Sequence, residues 1–228
     1  PIVIGGAGFS IFPRVLFEQL TPDYAICGEG EASLLALLAL LPNHQTPAQL
    51  AQIGGLLWWD GETAVQNPRS GVCPRMQLDF DEELVHYYWK HSGMLNVQTM
   101  SGCPLNCIYC TYPLIEGRKL RTFSPEAIVD TLARFQRQGI HYVFFTDSVF
   151  NDPKGQFLRI AAKIAEKGLK TPWMAYFRPQ AISAENVGLL VKSGLRAVEW
   201  GTDCSTDATL EAMGKGFTWK TVFEANRV

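Results

Sequence analysis

The chain has little net charge to offer a partner: 20 Lys and Arg stand against 22 Asp and Glu, a formal charge of −2, with no cluster of basic residues. That leaves no field to hold a phosphate backbone, so nucleic acid is not an expected partner. Long hydrophobic runs are missing too. The longest, ASLLALLALL at 32–41, falls well short of the roughly 20 residues that a membrane-spanning helix needs. It predicts a buried helix and argues against an integral membrane protein. A disulfide framework is equally out of place, because such frameworks staple small secreted domains. This chain has 228 residues and 47% hydrophobic content, enough to build a core. The composition is that of a cytoplasmic globular protein.

Cysteine is scarce but unevenly spread. Cys27 in the apolar run YAICG, Cys73 in a loop-like stretch and Cys204 past a strand end read as small buried or incidental thiols. The other three, Cys103, Cys107 and Cys110, crowd into MSGCPLNCIYCTYP at 100–113.

The pattern along the chain is α/β. PIVIGG and YAICG are continuous apolar runs closed by glycine, as strands buried on both faces require. Helical spacing in FPRVLFEQL and EGEASLLALLALL separates and follows them, which is doubly wound material. GGLLWWDGETAVQN predicts a hairpin with DG at its turn. Residues 67–94 read as a linker that holds a short helix, DEELVHYYWKH. From residue 95 strands and helices alternate: LNVQTM, SPEAIVDTLARFQRQG, HYVFFTD, DPKGQFLRIAAKIAEKG, PWMAYF, SAENVGLLVKSG, RAVEWGTD and TDATLEAMGKG. Ser124 and Ser183 are the expected N-caps, with Pro125 at the first helical position. Repeats of this length predict a parallel β/α barrel, whose chemistry sits where strands end. The cysteines, Asp147 and Asp203 all fall at such ends. PIVIGG opens with no initiator methionine or signal peptide and reads as a strand already under way, and TVFEANRV stops inside a helical pattern. A piece of a longer protein is therefore expected.

Three cysteines at this spacing leave a structural zinc site one ligand short of four. His141 is the nearest alternative, but it stands at the start of a strand, at the far end of the barrel. An iron–sulfur cubane fits better, since short loops let several thiolates point inward together. Three thiolates leave one iron open to a small molecule.

CPLNCIYC at 103–110 resembles the CxxxCxxC loop of the radical S-adenosylmethionine (SAM) enzymes, including the aromatic Tyr109 before the last cysteine. The resemblance implies a [4Fe–4S] cluster on Cys103, Cys107 and Cys110, with SAM chelating the open iron and reductive cleavage yielding methionine and a 5′-deoxyadenosyl radical. It also implies Tyr109 beside the adenine, with ordinary packing as the alternative. Asp147, with Ser148, would accept from the SAM amino group; a turn-forming Asp is the alternative. Asp203, in WGTDCSTDATLEAMGKG, stands where the family more often carries glutamate, and would bond the ribose. Arg178 would meet the SAM carboxylate or form a salt bridge. Glu199 is expected inside the barrel or beside a basic residue. Glu116, Arg118 and Arg121 either face the cavity or line a solvated loop.

PIVIGGAGFSIFP followed by DYAICGEGEASLLALL resembles the last strands of a cobalamin-binding domain placed ahead of such a barrel, with Gly5, Gly6 and Gly8 letting backbone approach the flat ligand. The expected organisation is the end of a cobalamin-binding domain at 1–66, a linker at 67–94, and the first four units of the radical SAM barrel at 95–228. The resemblance implies a cobalamin-dependent methyl transfer to an unactivated carbon of a small molecule, lipid or isoprenoid in type, with a flavodoxin or ferredoxin as reductant. Cyclisation, rearrangement or oxidation with the same cofactors is the enzyme alternative, and a non-catalytic metal-binding module the other.

Overall fold

The computed structural model describes residues 1–43, 45–69, 80–180 and 182–228. Cys73 lies outside the described residues. The chain divides into two compact units: Pro1–Met76 with Thr111–Arg118, and Gln77–Cys110 with Lys119–Val228.

The first unit contains β1 (Val3–Ile4), α1 (Ala7–Ile11), α2 (Pro13–Leu20), β2 (Tyr24–Ile26), α3 (Glu31–Leu40), α4 (Pro47–Leu50), β3 (Leu56–Asp60) and β4 (Thr63–Gln66). The sheet order follows the chain; β1 and β2 are parallel, and the β3–β4 hairpin joins antiparallel. Asp60 pairs with Thr63. The two-residue turn is therefore Gly61–Glu62, one step beyond the expected DG, with Gly61 supplying the positive φ of 61°. The continuous apolar runs have a simple cause. Ile26, Leu56 and Trp58 pack on one face of the sheet with Leu37, while Ala25 and Leu57 pack on the other with Phe17.

The second unit begins with α5 (Glu82–Ser92), β5 (Leu95–Val97) and β6 (Met100–Ser101). After α6 (Tyr112–Ile115), which belongs to the first unit, come β7 (Arg121–Thr122), α7 (Pro125–Arg137), β8 (Val143–Phe145), α8 (Gln156–Glu166), β9 (Trp173–Phe177), α9 (Ala184–Lys192), β10 (Leu195–Trp200), α10 (Asp207–Ala212) and α11 (Trp219–Arg227). Strands β5, β8, β9 and β10 lie side by side in chain order, all parallel. Ser124 and Ser183 cap α7 and α9 as expected, accepting from Ala127 N at 3.1 Å and Asn186 N at 3.2 Å. Helix α8 starts later than its sequence suggests. The buried Asp152 carboxylate accepts from the backbone N–H groups of Lys154 and Phe157, and this turn delays the first helical residue to Gln156.

Alternation along the strands sorts the two faces of this sheet. Phe145, Trp173, Ala175 and Phe177 are buried under α7–α9, where Phe150 stacks on Phe145 with ring centroids 4.8 Å apart. Burying each such ring contributes on the order of 2–3 kcal/mol. Phe144, Met174 and Tyr176 take the opposite face and are only half-buried. Glu199, paired in register with Tyr176, is exposed on β10 and lies on that second face, since its neighbours Val198 and Trp200 pack against the core. This open face is the inside of the incipient barrel.

Candidate active site

The cysteine loop leaves the end of β5 and is clamped at its base. Asp147, two residues beyond β8, is fully buried. One of its oxygens accepts from Thr99 N at 2.7 Å and Met100 N at 2.8 Å, and the other from Thr99 Oγ1 at 2.6 Å. Both carboxylate oxygens hold the start of the loop, which is the turn-forming role set beside the SAM amino group in the sequence. Next, β6 pairs antiparallel with β7, Ser101 opposite Arg121. Arg121 Nε and Nη2 donate to Ser101 Oγ at 3.2 and 3.0 Å. Residues 102–120 are thus an excursion tied shut at its foot.

Within it Cys103 is buried, and Cys107 and Cys110 are half-buried; all three are free thiols. Burial pushes the Cys103 thiol up, and Cys110 and Cys107 push it further, while the Leu105 backbone N–H and the Arg178 guanidinium pull it down. Cys103 therefore feels both of the other thiols. Burial lowers Arg178 itself, and Cys107 and Cys103 act against that. Arg178 is held in place by Gln180 Oε1 at 3.1 Å, by the Lys215 carbonyl and by the Phe217 ring. The Arg178 cation thus opposes, without cancelling, the upward push on the Cys103 thiol. Among the described residues no three His, Cys, Asp or Glu side chains gather round a point as a single metal ion asks. A cubane asks for something else, each thiolate reaching its own iron, and this donor set fits that demand. His141, the alternative zinc ligand, packs edge-on against Trp89.

The far side of the loop rests on the segment after α10. Ile108 N donates to Met213 O at 3.2 Å. Gly214, at φ +69°, lies where an added Cβ would come within 2.8 Å of Asn106 O, so no side chain fits there. Lys215, only 4% exposed, sends Nζ to the Asp203 carboxylate, to Tyr109 OH at 2.6 Å and to Gly201 O at 2.8 Å. Tyr109 OH donates to Asp203 Oδ2 at 2.5 Å. Burial works against the charged lysine, yet its bonds to Asp203 and Tyr109 carry the balance upward; Asp203 is likewise lowered by Lys215 and Tyr109 against its own desolvation. Asp203, expected at the ribose, is thus tied to a lysine and a tyrosine, and its backbone sits at φ +59°, a strained position for a residue with a side chain. Tyr109 keeps half of its surface exposed while its hydroxyl is held; it is not packed under the loop.

A cavity of about 240 Å³ opens beside the first thiol, lined by Cys103, Leu105, Leu120, Val149 and Arg178 among others. Nearby in sequence, Ser148 Oγ is buried with no hydrogen-bond partner among the described residues. An orphaned hydroxyl costs about 1–3 kcal/mol until a ligand or water meets it.

In the first unit, Gly6 (φ +93°) turns the chain from β1 into α1, and a Cβ on Gly6 or Gly8 would meet nothing within 4 Å. Gly5 sits 3.1 Å, by the same measure, from Ile26 O. The three glycines are exposed and leave bare backbone at the strand end. Such a surface suits a broad flat ligand. Behind it Arg69 Nη2 donates to Ser10 O at 3.1 Å and to Cys27 Sγ at 2.9 Å, and Arg69 Nη1 donates to Leu114 O, tying α1 and the β2 end to α6. Cys27 is the small buried thiol expected of it, and Cys204 donates to Thr202 O.

Sequence reasoning alone does not single out Lys215, Thr99 or Asn151. Asn151 stitches the β8 end to the β9 end, donating to Arg178 O and Gln180 O and accepting from Arg178 N. For Lys215 a signal is present: a lone lysine between two glycines directly after a helix.

An uncharacterized methyltransferase of Pyrococcus horikoshii is 27% identical over 95% of this chain and 48% of its own length. The tryptophan 2-C-methyltransferase of Streptomyces laurentii is 23% identical over 100% of the chain and 46% of its own length. The chain thus spans about half the length of the curated relatives it matches. The radical S-adenosylmethionine methyltransferase TsrM of Kitasatospora setae shares the fold, with a TM-score of 0.80 and 24% identity, covering all of this chain and 47% of that one. The cysteine loop, its clamped base and the parallel strands β8, β9 and β10 all lie inside the stretch 97–227, more than half of the chain, that matches the model of the radical SAM superfamily, and the chain belongs to that superfamily.

Proposed function

We propose that the protein is a cobalamin-dependent radical SAM methyltransferase acting on an unactivated carbon of a small molecule. The single observation that carries this reading is the triple-thiol loop at the end of the first parallel barrel strand, buttressed on both sides. Residues 1–66 are read as the end of the cobalamin-binding domain, 67–94 as the connection and 95–228 as the first four barrel units. The relatives that are methyltransferases by name support the methyl-transfer reading over cyclisation or rearrangement.

When bound, the [4Fe–4S] cluster with SAM supplies one-electron cleavage chemistry, and cobalamin supplies a transferable methyl group. Cys103, Cys107 and Cys110 hold the cluster. Arg178 offsets the negative charge of the thiolates. Ser148 offers its unpaired hydroxyl to the amino-acid end of SAM, and the exposed ring of Tyr109 offers a face to the adenine. Gly5, Gly6 and Gly8 clear a surface for the corrin. The apolar walls given by Leu105, Leu120 and Val149 exclude water from reactive groups and suit a lipid- or isoprenoid-like substrate. No described helix is long and apolar enough to cross a membrane. A cytoplasmic setting, with a flavodoxin or ferredoxin as electron donor, completes the proposal.

The test is anaerobic. The complete protein, reconstituted with iron, sulfide and cobalamin and then reduced, is expected to release 5′-deoxyadenosine from SAM and to raise the mass of its substrate by one CH₂ unit. Deoxyadenosine without that mass gain turns the assignment to cyclisation or rearrangement. Failure to assemble any cluster removes the central claim. In the same assay Ser148→Ala is expected to raise the half-saturating SAM concentration about tenfold, the worth of one hydrogen bond to a charged group. Iron content should not change. An unaltered SAM titration would free Ser148 from this role.

A further inference from the structure

We propose that Lys215 is a latch on the cysteine loop: acting through Asp203 and Tyr109, it fixes the stretch that carries Cys107 and Cys110. Lys215 is a positioning residue, remote in sequence from the thiols it controls.

The geometry is specific. An ammonium group has three N–H donors, and Lys215 has three acceptors for them: the Asp203 carboxylate, Tyr109 OH and Gly201 O. Among the described residues no other lysine or arginine is buried. A buried ammonium is costly unless fully paired, so a lysine kept here with every donor used is holding something. What it holds is the residue directly before Cys110 and the end of β10. The same short segment, 213–215, also grips the loop by backbone, through Ile108 N on Met213 O and the close approach of Gly214 to Asn106. Cys103 is anchored elsewhere, near the Asp147 clamp on Thr99 and Met100. Two anchors therefore divide the three thiols, one for Cys103 and one for Cys107 and Cys110. The strained φ of Asp203 is consistent with its side chain being held towards Lys215 and Tyr109.

The division can be read without any cluster, so only the purpose of the latch rests on the cluster reading. In the complete apo-protein, reduced and treated with iodoacetamide, alkylation of each cysteine is followed by mass spectrometry. Lys215→Met is expected to speed modification of Cys107 and Cys110 about tenfold, as a lost charged hydrogen bond implies for local opening, and to leave Cys103 unchanged. Lys215→Arg should recover most of the protection, and Tyr109→Phe, which keeps the ring, should lose part of it. After reconstitution the Lys215→Met protein should bind less iron. An equal rise at all three thiols would mean general unfolding and would overturn the latch; so would no rise at any. If Asp203→Asn leaves alkylation of Cys107 and Cys110 unchanged, Asp203 is no part of the latch and the proposal fails.

Discussion

If the proposed assignment holds, Cys107→Ala is expected to leave a folded protein that neither retains a cluster nor cleaves SAM. On the proposed cluster assignment each thiolate of the trio would reach a separate iron, so removing one would strip a corner of the site. Among the described residues no histidine or carboxylate joins the cysteines in a metal-binding group. Metal–thiolate bonding supplies on the order of 10 kcal/mol in structural sites, and losing one bond in three lowers retention by a factor of roughly 10² to 10³. The fold should not suffer, because Cys107 is half-buried and belongs to none of the apolar core clusters. Iron stoichiometry and visible absorption, read beside circular dichroism, check this. Cys27→Ala provides the contrast: that thiol is buried in the first unit against Ser10 and Arg69, and its loss should leave iron content intact. A Cys107→Ala protein with full iron would remove the cluster assignment.

Asp147→Ala has the other large effect, on stability. Its carboxylate accepts three hydrogen bonds in a site with no solvent access, and alanine leaves two backbone N–H groups and a hydroxyl without that partner. Breaking a buried charged network of this kind costs about 3–5 kcal/mol. Asp147→Asn, which keeps one carbonyl acceptor, should cost less. Urea unfolding of the complete protein, with m-values compared across variants, measures both. The loop base should loosen with the fold, so iron binding falls in parallel. If Asp147→Asn keeps its unfolding midpoint and instead weakens SAM binding, the carboxylate is a ligand after all.

Much of the fold is legible in the sequence because local signals agree with the tertiary context. The alternating strands and helices from residue 95, with Ser124 and Ser183 as caps, need only periodicity and turn chemistry. The cysteine trio is legible because its spacing is dense and unusual. What stays hidden depends on pairs far apart in sequence. Nothing local to Asp147 says that Thr99 and Met100 will turn back onto it, and a carboxylate at a strand end reads equally as ligand or clamp. Asp203 and Lys215 are a dozen residues apart across a helix, and only the folded chain shows that both meet Tyr109. The β6–β7 pair is too short, at two residues a side, to leave any period. The late start of α8 follows from Asp152 competing with the helix for backbone amides, a contest that propensity does not decide.

The distance along the chain between the thiol loop and its last anchor has a consequence during synthesis. Tyr109 and Lys215 are 106 positions apart, and ribosomes add roughly 5–20 residues each second. The cysteines therefore emerge on the order of 5 to 20 seconds before the lysine that fastens their loop has been made. The neighbouring strands are laid down in spatial order, each able to dock on its predecessor as it appears, so the sheet can form while the loop still hangs open. During that interval Cys107 and Cys110 are without the side-chain anchor that Lys215 later supplies through Tyr109.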